Sequence, residues 1–234
     1  RRLSSAASDV YKRQGITKAI FNRLRDHGVD GVTLGDHIYR KREIIPILES
    51  DAPVIRPANY PPEAPGREWM TLITTSGVPF CVVSLIGRVF MKPADCPFHA
   101  ADRIWSQLPK KRGGVLVDFH AEATSDKQLL GRYLDGRASA VLGTHTHVTT
   151  ADEQILPSGT AFQCDVGMTG PHDGIIGRRY DRVMETTFTQ RPTSFNVAKG
   201  DNRLSGTLVV VDSRTQKAVS IERVKVNEDA SQGS

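Results

Sequence analysis

Two histidines one residue apart, in Gly143-Thr144-His145-Thr146-His147, are the residues of this chain best placed to do chemistry. They follow the apolar run Ala138-Ser139-Ala140-Val141-Leu142 and so read as loop residues leaving the end of a strand. In extended chain, residues i and i+2 point the same way, which would let both imidazoles face one point, as a metal centre requires. Two other stretches have the same shape. Val115-Leu116-Val117-Asp118-Phe119-His120 is an apolar strand ending in a histidine, followed by the polar loop Ala121-Glu122-Ala123-Thr124-Ser125. Gly31-Val32-Thr33-Leu34-Gly35-Asp36-His37 is a strand, a glycine and then two groups able to ligate or to move a proton. A lone histidine in such a place is most often an ordinary loop residue; three strand ends, one of them His-x-His, favour a shared site. Nitrogen from His120, His145 and His147 with oxygen from Asp36 suits zinc, iron or manganese rather than calcium or magnesium.

The elements that would position these groups alternate. Ile16, Ala19, Ile20, Phe21 and Leu24 make a helical apolar face that Gly28 stops. A strand over residues 29–34 and a helix over 39–48 follow, then a short strand after Pro53 that runs into a loop whose four prolines (57, 61, 62 and 65) preclude regular structure. Residues 69–75 and 80–86 flank Ser76-Gly77-Val78-Pro79 as a hairpin. Helices over 100–108 and 127–134 separate the His120 and His145 strands. The last third changes character: a hairpin over 154–166, a helix over 180–187, and a closing antiparallel pair, 205–212 with 218–226. Such alternation predicts an α/β layered architecture with largely parallel central strands, whose carboxyl ends gather ligands.

Composition narrows the function. The 234 residues are enough for one sizeable core. No apolar run approaches the roughly 18 residues that cross a bilayer, and no signal-type leader is visible, so a cytoplasmic location is expected. Cys81, Cys96 and Cys164 are odd in number and far apart, which argues for reduced thiols over a disulfide framework or a thiolate metal site. The net charge of +5 is concentrated in residues 1–14, where Arg1, Arg2, Lys12 and Arg13 against Asp9 give +3 and leave +2 for the other 220 residues. Stable nucleic-acid binding is therefore not expected. Residues 1–14 show no periodicity and read as a disordered or non-native leader, 15–227 as one domain, and 228–234 as a frayed tail.

Gly35-Asp36-His37, the run from Asp118 to Ser125, the run from Gly143 to Val148 and Asp165-Val166-Gly167-Met168-Thr169-Gly170-Pro171 together resemble the YmdB-type branch of the calcineurin-like metallophosphoesterases. Arg56-Pro57-Ala58-Asn59 and the run from Tyr133 to Ala140 extend the likeness, which spans about 15–227. The resemblance implies a layered β-sandwich flanked by helices, with two divalent metal ions at the strand ends, iron or manganese, zinc being the other candidate. It assigns Asp36, His120 and His145 to one ion, His147 to the other, and His37 to the general acid. It also implies a small phosphodiester substrate, 2′,3′-cyclic or 3′,5′-cyclic nucleotides, hydrolysed by a metal-bound hydroxide, in a protein that could be a homo-oligomer. Two departures stand out: Asp36 occupies a position where most relatives have Asn, and the family's opening strands, one with an Asp in a G-D-x-x-G turn and one with a Glu-Asn pair, have no counterpart. The fold is thus expected to lack its first strands and part of the second ion's ligands. A phosphomonoesterase or protein phosphatase, and a non-catalytic binding or regulatory remnant, are the alternatives.

Glu122, Thr124 and Ser125 could orient His120 or contact phosphate, with loop solvation favoured. Asp165, Met168 and Thr169 could line the site or only shape the turns at Gly167 and Gly170. Arg137 reads as a structural ion-pair partner, and His27, His99 and His172 as surface residues.

Overall fold

A computed structural model describes residues 2–4 and 15–228. Its centre is a six-stranded sheet in the order β4-β5-β6-β7-β9-β8, built from Trp69–Ile73 (β4), Pro79–Ile86 (β5), Val115–His120 (β6), Ala140–Thr144 (β7), Gln154–Ile155 (β8) and Ala161–Gln163 (β9). The four inner strands β5, β6, β7 and β9 run parallel, and the edges β4 and β8 are antiparallel. Parallel strands need covered faces, and these strands are apolar enough to accept cover on both.

One face is covered by helices α3 (Pro97–Gln107) and α4 (Thr124–Tyr133). Ala101, Ile104 and Leu130 from the helices meet Val83, Leu85, Val117, Phe119 and Val141 from the strands in the main core. Each fully buried aliphatic side chain there is worth about 1.5–3 kcal/mol. On the other face Val82, Met70 and the half-buried Leu116 and Leu72 meet Ile55 of a second sheet. That sheet is β1 (Arg2–Ser4), β2 (Val29–Thr33) and β3 (Val54–Ile55), all parallel, and it is backed by α1 (Lys18–Asp26) and α2 (Ile45–Leu48) around Ile16, Phe21, Leu34, Ile44 and Leu48. A third sheet, β10 (Gly170–Pro171), β11 (Asn202–Asp212) and β12 (Lys217–Asn227), is antiparallel and closes the chain. The layered α/β reading therefore holds, with the parallel centre as expected.

Helix α1 buries Phe21 and half-buries Ile20 and Leu24 of its predicted face, whereas Ala19 is exposed; Thr17 caps it by accepting from the Ile20 amide, and Gly28 leaves it at φ +82°. The predicted helix over 39–48 is corrected to two 3₁₀ turns, Ile38–Arg40 and Arg42–Ile44, before the single turn of α2. Pro46 is the reason, since it lacks an N–H and is tolerated only in the first turn of a helix, which is where it lies. Residues 2–4, placed in the leader by the sequence, run as a strand beside β2. The rest of that leader, and the tail beyond 228, lie outside the described residues. The proline-rich loop is held by the buried Arg56, which donates to the carbonyls of Pro57, Ala64 and Gly66 and to Glu68. Asn59 ties the same loop to the end of β5, accepting from the Ile86 amide and donating to the carbonyls of Ile86 and Asp95.

Candidate metal centre

The carboxyl ends of β2, β6 and β7 meet at one point. Asp36, His120 and His145 each bring one ligand atom to it, and these atoms lie within 4.8 Å of one another. His120 Nε2 is 3.1 Å from Asp36 Oδ1 and 3.0 Å from His145 Nδ1, and His145 Nδ1 is 3.9 Å from Asp36 Oδ1. The rings of His120 and His145 meet edge to face, centroids 4.7 Å apart.

Which lone pairs face this point is set by what holds the other ring nitrogens. Thr144 spends its hydroxyl proton on Asp118 Oδ1, 2.8 Å away, so its oxygen accepts from His120 Nδ1 at 3.0 Å. That keeps the proton on Nδ1 and turns the Nε2 lone pair inward. The pairing follows from sheet register, because His120 on β6 sits opposite Thr144 on β7, and Asp118 points the same way as His120 two residues on. Burial pushes the Asp118 carboxyl up, against the opposing pull of hydrogen bonds from Thr33 and Thr144. His145 is held likewise: its Nε2 lies 3.1 Å from Glu122 Oε2, so Nδ1 presents the inward lone pair. A carboxylate oxygen and two such nitrogens at these separations repel unless a shared proton or a cation lies among them. The donor set fits a first-row divalent cation, with the partner on each far nitrogen that metal-bound histidines characteristically have.

The loop carrying His145 and His147 is bent rather than extended. His145 has φ +105° and His147 φ +68°, so the extended-chain argument that aimed both imidazoles at one point is corrected; His145 joins the cluster, whereas His147 lines an adjoining cavity. Among the described residues there is no second cluster of three such ligands. Asp165 fixes the bend. Its Oδ2 accepts from the Thr146 amide and hydroxyl at 3.0 and 2.7 Å and from Lys127 Nζ at 2.9 Å, while Oδ1 accepts from the Gly167 amide. Lys127 and Asp165 are both buried.

The Asp36 carboxyl is strongly perturbed by its surroundings. Burial pushes its carboxyl up, but where protons occupy the cluster the hydrogen bond from His120 and the positive charges of His120, His37 and His145 outweigh it and hold the group well below the usual carboxylate range. His37, 9% exposed, sits with Nδ1 3.3 Å from Asp36 Oδ2, on the side of the carboxylate away from His120.

Sequence reasoning brought Asp36, His37, His120 and His145 together and missed Thr33, Asp118, Thr144 and Lys127. The alternation Asp118-x-His120 was the available signal; the register that brings Thr144 to His120 and the reach of Lys127 to Asp165 are tertiary. Glu122 orients His145 and not His120. Arg137 has a structural setting, ion-paired to Asp102 at 2.6 Å and 5.3 Å from the rings of Trp105 and Tyr133.

Comparison with known proteins adds independent observations. Residues 5–224 match the YmdB-like protein family. A 2′,3′-cyclic-nucleotide 2′-phosphodiesterase of Bacillus subtilis is 45% identical over 216 residues, covering 92% of this chain and 81% of that protein. A crystal structure of a hypothetical protein from Thermus thermophilus superposes with a TM-score of 0.86 at 43% identity, over 92% of this chain and 84% of the other. A structure described as a novel phosphatase from Mycoplasma pneumoniae superposes with a TM-score of 0.83 at 25% identity, over 92% and 80%.

Proposed function

We propose, for a chain that belongs to the YmdB-like protein family, hydrolysis of small phosphodiesters, with 2′,3′-cyclic nucleotides as the foremost substrates and 3′,5′-cyclic nucleotides as the second. The observation that carries this reading is the convergence of Asp36, His120 and His145 at the strand ends, in a chain 45% identical to a phosphodiesterase.

Asp36, His120 and His145 would hold one divalent cation, iron or manganese before zinc, and His147 would contribute to a second. Bound there, such ions neutralise phosphoryl oxygens and acidify water. The chain's own residues do the rest. The Thr144–Asp118 relay and Glu122 keep both imidazoles in the ligating tautomer. Asp36, whose neighbours favour the ionised form, adds a negative charge that an Asn would not. His37, beside Asp36 and nine-tenths buried, would hold a proton for the departing ribose oxygen, the general-acid role that such a reaction needs. The site would work in the cytoplasm, in keeping with described residues that include no helix long and apolar enough to cross a membrane. A homo-oligomer is part of the same reading, supported by the exposed Leu204, Leu208 and Val210 along β11.

The test is turnover of 2′,3′-cyclic AMP and bis-p-nitrophenyl phosphate against p-nitrophenyl phosphate, in chain loaded with manganese or iron. Diester turnover well above monoester turnover is the expected result. Preference for the monoester would favour a phosphatase, the reading that the Mycoplasma pneumoniae structure supports. Loaded chain with no turnover of either would point to a binding or regulatory role.

A further inference from the structure

A cavity of about 300 Å³ lies beside the loop of the candidate metal centre and is lined by His147, two residues beyond the candidate ligand His145. One wall is the site loop itself, through His147, Val148 and Thr149. The opposite wall is the β11–β12 hairpin, where Ser205 and Lys225 face each other in register and Arg203 lies one pair along the same strand face. Met168, His172 and Ile176 come from the segment between them. The walls are drawn together at Gly167, whose φ is +84° and where a Cβ would collide with Thr149 Oγ1 and crowd Ser205.

The lining is chemically one-sided: two permanent cations, two imidazoles, two hydroxyls and no carboxylate. Asp201, just outside, grips Nε and Nη2 of Arg203 and lies within electrostatic reach of His172 and Lys225, so the cavity keeps a net excess of one permanent positive charge. Its grip also holds the guanidinium in a fixed orientation, which lowers the entropy cost of binding an anion. The remaining surface, Val148, Met168 and Ile176, is apolar and suits a sugar or base. The volume lies at the lower end of small-molecule sites.

We propose that this cavity binds a second, non-reacting phosphate of the substrate, so that the chain favours nucleotides carrying a phosphate besides the one that is hydrolysed. The inference rests on the phosphodiesterase reading of the adjoining centre, because a simple cyclic mononucleotide has no second phosphate to place here. Arg203 and Lys225 supply charge-assisted hydrogen bonds to it, with Ser205 and Thr149 as neutral donors.

The test is an NMR chemical-shift titration of the full chain, in EDTA, with adenosine 3′,5′-bisphosphate and with adenosine 3′-monophosphate. The bisphosphate is expected to bind about tenfold more tightly, as one charge-assisted hydrogen bond provides, and its advantage should shrink with added salt. Lys225→Ala, an exposed position on β12, should remove most of that advantage. Equal affinities in the wild type, no detectable binding of either ligand, or an advantage that survives Lys225→Ala combined with Arg203→Gln would overturn the proposal. Bis-p-nitrophenyl phosphate has no second phosphate, so Lys225→Ala should reduce turnover of adenosine 2′,3′-cyclic 5′-phosphate more than that of bis-p-nitrophenyl phosphate; an equal loss on both would overturn the subsite. Wild-type chain that prefers the bisphosphate yet hydrolyses no diester would sink the phosphodiesterase reading while the subsite stands.

Discussion

Gly35 and His120 occupy one van der Waals footprint: a Cβ built on Gly35 would meet Cε1, Nε2 and Cδ2 of the His120 ring well inside 3.0 Å. The restriction is one of space, since the ring of one candidate ligand lies against the backbone that leads to another, Asp36. Gly35→Ala should therefore push the ring off the cluster. Manganese affinity, measured by calorimetry, is expected to fall by about a hundredfold or more, with far-ultraviolet circular dichroism unchanged. Undiminished affinity would mean that His120 is not a ligand.

Glu122 fixes the tautomer of His145 from outside the cluster. Glu122→Gln keeps the size of the side chain and removes its charge, and should weaken metal binding by about tenfold to a hundredfold. Thr144→Val should do the same through His120, because it breaks the relay to Asp118. If neither variant changes a chelator-competition curve, the outer partners do not set ligand geometry.

His37 touches Asp36 but is not among the three converging ligand atoms. His37→Ala should retain metal content by elemental analysis while diester turnover drops by about 10²–10⁴-fold, the usual worth of a positioned proton donor. The loss should be smallest for bis-p-nitrophenyl phosphate, whose leaving group needs no proton. Full turnover of 2′,3′-cyclic AMP in this variant would remove His37 from the mechanism.

The ion pair of Lys127 with Asp165 is buried at both ends, 2% and 1% exposed. Lys127→Met leaves the carboxylate without its counter-charge in the interior and should cost about 3–5 kcal/mol of stability, read as a lower urea midpoint at unchanged m-value. A shift within about 0.5 kcal/mol would show that the hydrogen bonds from Thr146 and Gly167 suffice for Asp165.

Burial first, then the hydrogen bond and charge of Asp152, push the Cys164 thiol up to about 12. The thiolate is the reactive species, so at pH 8 Cys164 stays protonated and inert. Burial likewise raises Cys81, whereas Cys96 is half-buried. A chromogenic disulfide reagent should label one thiol per chain in the native state at pH 8 and three in denaturant; rapid labelling of all three in the native state would contradict this packing.

The sequence made the strand–helix alternation legible because the inner strands carry short apolar runs that end in glycine or polar loops, as at Gly35 and Gly143. It made His120 and His145 legible because a parallel sheet delivers the ends of neighbouring strands to one edge, and Asp36 legible because β2 of the facing sheet ends in the same way. The shape of the His145–His147 loop was not legible. Period-two reasoning holds only while the chain stays extended, and the positive φ values at both histidines follow from Asp165, eighteen residues beyond His147. Thr144 was invisible for a related reason, because which residue lies opposite His120 depends on the register of β6 against β7 and not on either strand alone. Pro46 was visible in the sequence but was read as lying inside a helix that it in fact begins.

The backbone at His145 and His147 lies where non-glycine residues rarely go, at a cost of order 1–3 kcal/mol each. Glycine would relieve that strain and remove the imidazoles, so the loop cannot relax and keep its function. It is held by Asp165, and Asp165 by Lys127 in the interior of α4. The loop is thereby tied to the helix layer, and the Thr146 amide should exchange its hydrogen only when α4 detaches from the sheet. The candidate ligands would then disperse in the same event that opens the core, giving the site the lifetime of the folded domain and not that of a surface loop.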